Sequence, residues 1–306
     1  MIAIIGAGAM GGWLACTLVE SSNDVVLVDV SDELVERINT YGLTVRSNDG
    51  ERTVKVHATT RPSDVGRAEI VLCFVKANHT RAAAQLAKPL VSSTTTVVSL
   101  QNGWGNADVL AESYSREQIV VGVTYHSATV AGLAEVLHTG QGPTFVGPYA
   151  DEAGTERSLA LANTLNDSGV DTMATESVKT EIWKKLILNA ATLPTAALTH
   201  LCAGDLFEQQ EVLTTVDDLA AEAVAVARAQ GMSIDLAERL DRIHTVLKGA
   251  GKGKASMLQD VEARRKTEIE VINGAVAAAA KRSGVAVPLN EAMIRMVHGL
   301  ERSWVN

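Results

Sequence analysis

Residues 1–12 read MIAIIGAGAMGG, an apolar segment that runs straight into glycines at positions 6, 8, 11 and 12. Ile2 to Ile5 is short and β-branched, the pattern of a strand buried on both faces, and Met10 to Ser21 carries a helical pattern. Between them, Gly6-Ala7-Gly8-Ala9-Met10-Gly11 matches GxGxxG. That match alone is weak, because any tight strand-to-helix turn uses glycine. Its context makes it a dinucleotide fingerprint: a strand precedes it, a helix follows, and Asp29 ends the second predicted strand. In this reading Gly6 permits the turn, Gly8 lets the backbone approach a pyrophosphate, and Gly11 lets helix pack on strand. Ala7, Ala9 and Met10 complete the loop, and the helix N-terminus offers N–H groups to the phosphates. Asp29 either accepts both adenosine ribose hydroxyls, which favours NAD over NADP, or is a solvated acid opening the turn before Ser31.

Outward from this loop, Val25 to Val28, Ile70 to Val75 and Thr95 to Leu100 repeat the buried-strand pattern, with helical patterns at Asp32 to Tyr41 and His79 to Leu90. The alternation predicts an α/β fold with an N-terminal Rossmann-type, doubly wound sheet. Thr44 to Arg46 and Thr53 to Val56 flank Asn48-Asp49-Gly50, a hairpin signal. A further antiparallel set is expected from Ile119 to Tyr125, Ala134 to Leu137 and Thr144 to Val146. After about residue 175 the strand signals stop. Alanine-rich helical patterns follow at Glu176 to Thr199, Glu211 to Gln230, Leu236 to Leu247, Lys266 to Ser283 and Asn290 to Trp304, and Gly249 to Lys254 reads as a flexible loop. The expected organisation is a dinucleotide-binding domain over residues 1–170 and an all-helical substrate and catalytic domain over 171–306.

Length and charge agree with this reading. At 306 residues the chain has room for about two domains. Lys plus Arg is 27 against 36 Asp plus Glu, a net charge of −9, with no basic tract to engage nucleic acid or an anionic membrane. No signal peptide and no run of about 18 charge-free apolar residues is read, so a cytoplasmic protein is expected. Cys16, Cys73 and Cys202 lack ligand or disulfide spacing and read as reduced core thiols. His126 and His138 have no further ligand at metal spacing, so no metal is expected.

Three clusters hold candidate chemistry. Phe74-Val75-Lys76 and Gln101-Asn102-Gly103 lie at carboxyl ends of predicted strands, where open α/β sheets bind ligands. In Trp183-Lys184-Lys185-Leu186-Ile187-Leu188-Asn189, Lys185 and Asn189 are four apart and share one helix face. Spacing alone leaves other uses open: Lys185 as a solvated helix lysine, Glu268 as a surface carboxylate, Ser256 as a helix N-cap and Asn102 as a turn residue.

Taken in order, GAGAMG, FVKA, QNG, HTGQGPTFVG, WKKLILN, SMLQDV and TEIEVINGAV resemble the ketopantoate reductase (2-dehydropantoate 2-reductase) family over nearly the whole chain. The last two segments are the most specific. The resemblance implies reduction of a 2-oxo acid with a nicotinamide cofactor, in a cleft between a Rossmann domain and a helical domain. Carried over motif by motif, Lys185 is the general acid and Glu268 its acidic partner. Ser256 holds the substrate carboxylate, Asn189 orients the substrate, Asn102 lies by the nicotinamide ribose and substrate, and Lys76 lies on the cofactor side.

The chain departs from the family at Leu193-Pro194, where Asn-Pro is usual, and at Ala203 and Gly253, where polar residues are common. An apolar wall gains nothing from a substrate hydroxyl. With Asp29 and with Trp104 near the expected substrate mouth, these departures predict an NAD(H)-linked 2-hydroxy acid dehydrogenase acting on a branched or aromatic apolar substrate. The alternatives are an NADPH-dependent 2-dehydropantoate 2-reductase and a catalytically silent nicotinamide-binding sensor. The long C-terminal helices suggest a homodimer.

Overall fold

A computed structural model describes residues 1–305 and divides the chain into two compact units. Unit 1 is residues 1–101 with 106–179, and unit 2 is residues 102–105 with 180 onward.

Unit 1 contains twelve strands among the described residues: β1 Ile2–Ile5, β2 Val25–Val28, β3 Leu43–Ser47, β4 Gly50–Val54, β5 His57–Thr59, β6 Ile70–Cys73, β7 Thr96–Ser99, β8 Ile119–Thr124, β9 Ser127–Gly132, β10 Glu135–Gly140, β11 Thr144–Pro148 and β12 Thr172–Ala174. Eight form one sheet in the order β12-β11-β8-β7-β6-β1-β2-β5, with β11 antiparallel to β8 and the other pairs parallel. Every residue of β1, β2 and β7 is buried, as strands covered on both faces require. The chain leaves β1 toward β2 on one side and returns to β6 on the other. The glycine loop after β1 therefore occupies the point where strand order reverses, the usual ligand position in such sheets.

The predicted hairpin forms as β3 and β4, in register from Leu43↔Val54 to Ser47↔Gly50. The expected antiparallel set does not form one sheet. β8 and β11 join the main sheet, whereas β10 pairs with β3 and with β9, an unanticipated strand, in a second sheet of order β4-β3-β10-β9. Helix Ala9–Glu20 lies against that second sheet, and a Cβ on Gly12 would meet Val136 Cγ2 at 3.1 Å. The first unit also runs past the expected boundary at residue 170, because β12 pairs with β11 in register Thr144↔Thr172 and extends the sheet edge.

Unit 2 is helical: Val178–Thr199, which starts at the end of unit 1, is followed by Ala203–Glu208, Gln210–Ala229, Leu236–Ala250, Ser256–Glu262, Asn273–Ser283 and Pro288–Arg302. Ala190, Ala191, Ala196, Ala220, Ala223 and Ala279 are fully buried in its core, and side chains this small let helix axes approach closely. The helix expected from Lys266 begins only at Asn273. Glu301 captures the Thr267 backbone and hydroxyl, Ile269–Val271 forms a 3-10 turn, and Ile272 has a non-helical ψ of −93°. The glycine-rich loop is also shorter than expected, since the preceding helix runs to Ala250 and Gly251 turns with φ +50°.

The second and third glycines of the fingerprint differ in what surrounds them. A Cβ on Gly11 would lie 2.0 Å from the Gly6 carbonyl oxygen, whereas one on Gly8 meets nothing within 4 Å. Gly11→Ala should therefore cost about 2 kcal/mol or more and lower Tm by at least about 4 °C, while Gly8→Ala leaves Tm within about 1 °C. Thermal melts of both variants by circular dichroism check the contrast, and equal Tm values would contradict it.

Candidate functional site

In unit 1 the candidate site is the glycine loop. Gly6 takes φ +100°, and a Cβ there would press at 3.1 Å on the Phe74 carbonyl group, so only glycine lets β1 turn this close to the end of β6. Gly8 is the N-cap of helix Ala9–Glu20 and supplies no side-chain cap; no acidic residue occupies the first turn. The first-turn N–H groups thus face an open approach at Gly8, which fits the pyrophosphate of a dinucleotide. Ala7 is buried, and Ala9 and Met10 are half-buried. The Asp29 carboxylate fixes the loop, accepting from Ala7 N–H at 2.8 Å and from Ser31 N–H at 3.1 Å. Lys76 is exposed in the loop three residues after the end of β6. Gln101, given no role from sequence, donates to the Val75 carbonyl and to Thr80 Oγ1, both at 2.8 Å, and so ties the loop after β7 to the loop holding Lys76.

In unit 2 the candidate site gathers on helix Val178–Thr199 and the segment before Asn273. The two adjacent lysines are distinguished by their partners. Lys184 pairs with Glu181 one turn earlier at 2.8 Å, whereas the charge that acts on Lys185 is Glu268. Burial pulls the Lys185 ammonium from 10.5 down to about 8, against the Glu268 carboxylate, which raises it. Trp183, Leu186 and Ile187 around it are buried. Asn189, one turn further along the helix, is 7% exposed.

Glu268 is held from both sides. Thr267 donates its N–H and hydroxyl to Glu301 Oε1 at 2.8 and 2.7 Å. Three residues on, the Val271 carbonyl accepts from Trp104 N–H at 2.8 Å. Gly103 has φ +84°, and a Cβ on it would lie 2.3 Å from that same carbonyl oxygen, so the turn carrying half-buried Asn102 requires glycine and packs with unit 2. Trp104 meets Trp183 with ring centroids 6.1 Å apart. No sequence signal marks Glu301, which lies 33 positions beyond the residue it helps to hold.

Ser256 is exposed and is the first residue of helix Ser256–Glu262; the N-cap is Ala255, so the capping alternative is not realised. No described contact joins Ser256 to Lys185 or Glu268. Of the three departures, Leu193 is buried in the helical core, and Ala203 and Gly253 meet through an N–H to carbonyl bond of 3.0 Å. Cys202 is half-buried rather than in the core, whereas burial raises the Cys16 and Cys73 thiols to about 12 and about 11. His126 Nδ1 and His138 Nε2 lie 3.1 Å apart, both rings stacked on Trp13, a pairing that sequence spacing does not reveal. No helix among the described residues is long and apolar enough to cross a membrane.

Comparison with known proteins gives concordant matches in both units. The family described as Ketopantoate reductase PanE/ApbA matches residues 2–151, and its C-terminal counterpart matches residues 177–301. The 2-dehydropantoate 2-reductase of Halobacterium salinarum is 30% identical over 98% of this chain and 99% of its own, and that of Archaeoglobus fulgidus is 31% identical over 98% and 97%. Among solved structures, a D-mandelate dehydrogenase with NADH and anilino(oxo)acetate superposes with a TM-score of 0.92 at 27% identity, covering 99% of each chain. A PanE/ApbA family ketopantoate reductase from Ralstonia eutropha gives 0.89 at 30% identity and covers both chains fully. With a Rossmann-type sheet in unit 1, helices in unit 2 and both family segments matched, the chain belongs to the ketopantoate reductase family of nicotinamide-dependent oxidoreductases.

Proposed function

We propose that this protein reduces a 2-oxo acid with an apolar side chain to the 2-hydroxy acid, using NADH, with Lys185 as the proton donor. The observation that carries the reading is the Lys185 ammonium, lowered to about 8 by burial and faced by Glu268. An acid tuned near working pH both holds and releases its proton readily. The cofactor supplies the hydride for the carbonyl carbon. Lys185 Nζ donates a hydrogen bond to the ketone oxygen, stabilises negative charge developing there and transfers one proton to it, so the C=O bond becomes CH–OH. Glu268 retains the charge on Lys185 before transfer. Asn189 offers its amide to the substrate, Ser256 its hydroxyl to the carboxylate, and Asn102 an amide to substrate and ribose.

NADH is favoured by Asp29. Each of its oxygens accepts one backbone N–H and keeps a further lone pair for a ribose hydroxyl. A 2′-phosphate would meet an uncompensated carboxylate, because Arg37 lies over the Tyr41 ring at 4.3 Å and Arg61 pairs with Asp64 at 3.3 Å. The apolar substrate is favoured by Leu193, Ala203 and Gly253, and a D-mandelate dehydrogenase is among the solved relatives. The second reading, an NADPH-dependent 2-dehydropantoate 2-reductase, draws on full-length relatives of that name.

Lys185→Ala should lower kcat at least about 100-fold while the KM for NADH changes less than about twofold, and Lys184→Ala should stay within about threefold of wild type. Reduction uses the ammonium and the reverse oxidation uses the amine. In wild type the reduction rate should thus fall as pH rises through about 8 and the oxidation rate should rise over the same range, with both limbs absent from Lys185→Ala. A smaller loss in Lys185→Ala removes it as the acid. Steady-state assays of pyruvate, 2-oxoisovalerate, phenylglyoxylate and ketopantoate, each with NADH and NADPH, test specificity. The expected kcat/KM is about 100-fold higher with NADH, falling in Asp29→Ser, and higher for 2-oxoisovalerate or phenylglyoxylate than for ketopantoate. Preference for ketopantoate with NADPH would establish the second reading instead.

A further inference from the structure

Pro194 lies inside helix Val178–Thr199 and has no N–H, so the carbonyl of Ala190, four residues earlier, loses its helical partner. A fully buried carbonyl left in that state is costly. The missing donor comes from elsewhere in the chain: Asn273 Nδ2 donates to Ala190 O at 2.9 Å. Its second amide hydrogen goes to Asn290 Oδ1 at 3.0 Å, and Asn290 in turn donates to the Leu219 carbonyl at 3.2 Å and to Glu222 Oε2 at 2.8 Å. Asn273 and Asn290 are both 0% exposed. A buried amide chain therefore connects four helices, with Asn273 at its centre.

The register of this contact relates it to the candidate acid. Ala190 follows Lys185 by five residues on a continuous helix, and Asn273 follows Glu268 by five residues across the short 3-10 turn. We infer that Asn273, by donating to the carbonyl that Pro194 leaves open, is a positioning residue that sets the separation of Lys185 and Glu268. The inference rests on the reading of Lys185 as the acid. Helix Val178–Thr199 could slide or rotate against the Glu268 segment without breaking any bond of its own. The Asn273 amide donates a hydrogen bond from one of those segments to the other, and its directionality fixes what apolar contacts alone leave adjustable. Displacement of a proton donor by about 1 Å is enough to cost about 100-fold in rate.

Pro194 separates this role from plain satisfaction of a carbonyl. Pro194→Ala restores an N–H at position 194 that can bond Ala190 O within the helix, so Asn273 is no longer needed to satisfy that atom. The experiment compares wild type, Pro194→Ala, Asn273→Ala and the double variant, measuring Tm, kcat, KM for NADH and the pH dependence of kcat. The substrate is the fastest of 2-oxoisovalerate, phenylglyoxylate and ketopantoate. Asn273→Ala should lower Tm, and the drop should be smaller in the Pro194→Ala background, where Ala190 O regains a partner and only Asn290 Oδ1 loses its donor. The kcat of the double variant should nevertheless stay at least about tenfold below that of Pro194→Ala, with KM for NADH within about twofold and the alkaline limb moved to lower pH, because a more distant Glu268 supports the ammonium less. Recovery of kcat together with Tm, or a kcat unchanged in both Asn273 variants, would overturn the inference and leave Asn273 as a structural cap. Should Asn273→Ala alone fail to fold, the pair in the Pro194→Ala background decides the matter. Lys185→Ala is assayed in parallel: if it too retains full kcat, the reading of the acid fails rather than the positioning role.

Discussion

A lysine drawn into apolar surroundings keeps its charge only if a carboxylate is held nearby, and this requirement organises unit 2. Lys185 is carried on a helix whose neighbouring residues Trp183, Leu186 and Ile187 are buried, so desolvation favours the neutral amine. Glu268 opposes that tendency, but it belongs to a segment with little regular structure, and its position depends on contacts to three other parts of the chain. Glu301 takes the N–H and hydroxyl of Thr267, Trp104 donates to Val271, and Asn273 donates to Ala190. The irregularity of the backbone from Lys266 to Ile272 is thus matched by side-chain and loop contacts at each end.

Unit 1 solves a different problem, the approach of an anion to backbone. Its loop uses glycine where φ or proximity leaves no room, at Gly6 and Gly11, and where space must stay open, at Gly8. Asp29 serves the loop itself. By accepting from Ala7 N–H it draws the end of β2 onto the turn after β1, so a substitution there alters the loop.

The parts of the fold set by local pattern were legible in the sequence. β1 and β2 follow the apolar runs, helix Asp32–Tyr41 follows its helical pattern, and the β3–β4 hairpin follows Asn48-Asp49-Gly50. Strand partnership was not legible: β10 has a recognisable alternation, yet whether it joins β8 or β3 depends on contacts far apart in sequence. β12 is only three residues long and carries too little pattern to shift a boundary. The helix expected from Lys266 shows a related limit, since helix-forming side chains there are overridden by Glu301. At the candidate site, Lys185 and Asn189 share a face by spacing and Glu268 came only with the family resemblance. The distinction between Lys184 and Lys185 needed the Glu181 ion pair. The role of Pro194 in opening a carbonyl for Asn273 could not be read from either residue alone.

The central claim is that Lys185 is a lysine whose proton affinity is lowered by burial and sustained by Glu268. Its most direct test is a titration of the side-chain amine, followed by NMR in protein carrying isotopically labelled lysine, with the resonance assigned by Lys185→Arg. The account predicts a midpoint near 8 in wild type and a lower midpoint in Glu268→Gln, where burial acts unopposed. A midpoint near the ordinary lysine value of 10.5, or one that does not move in Glu268→Gln, would contradict it.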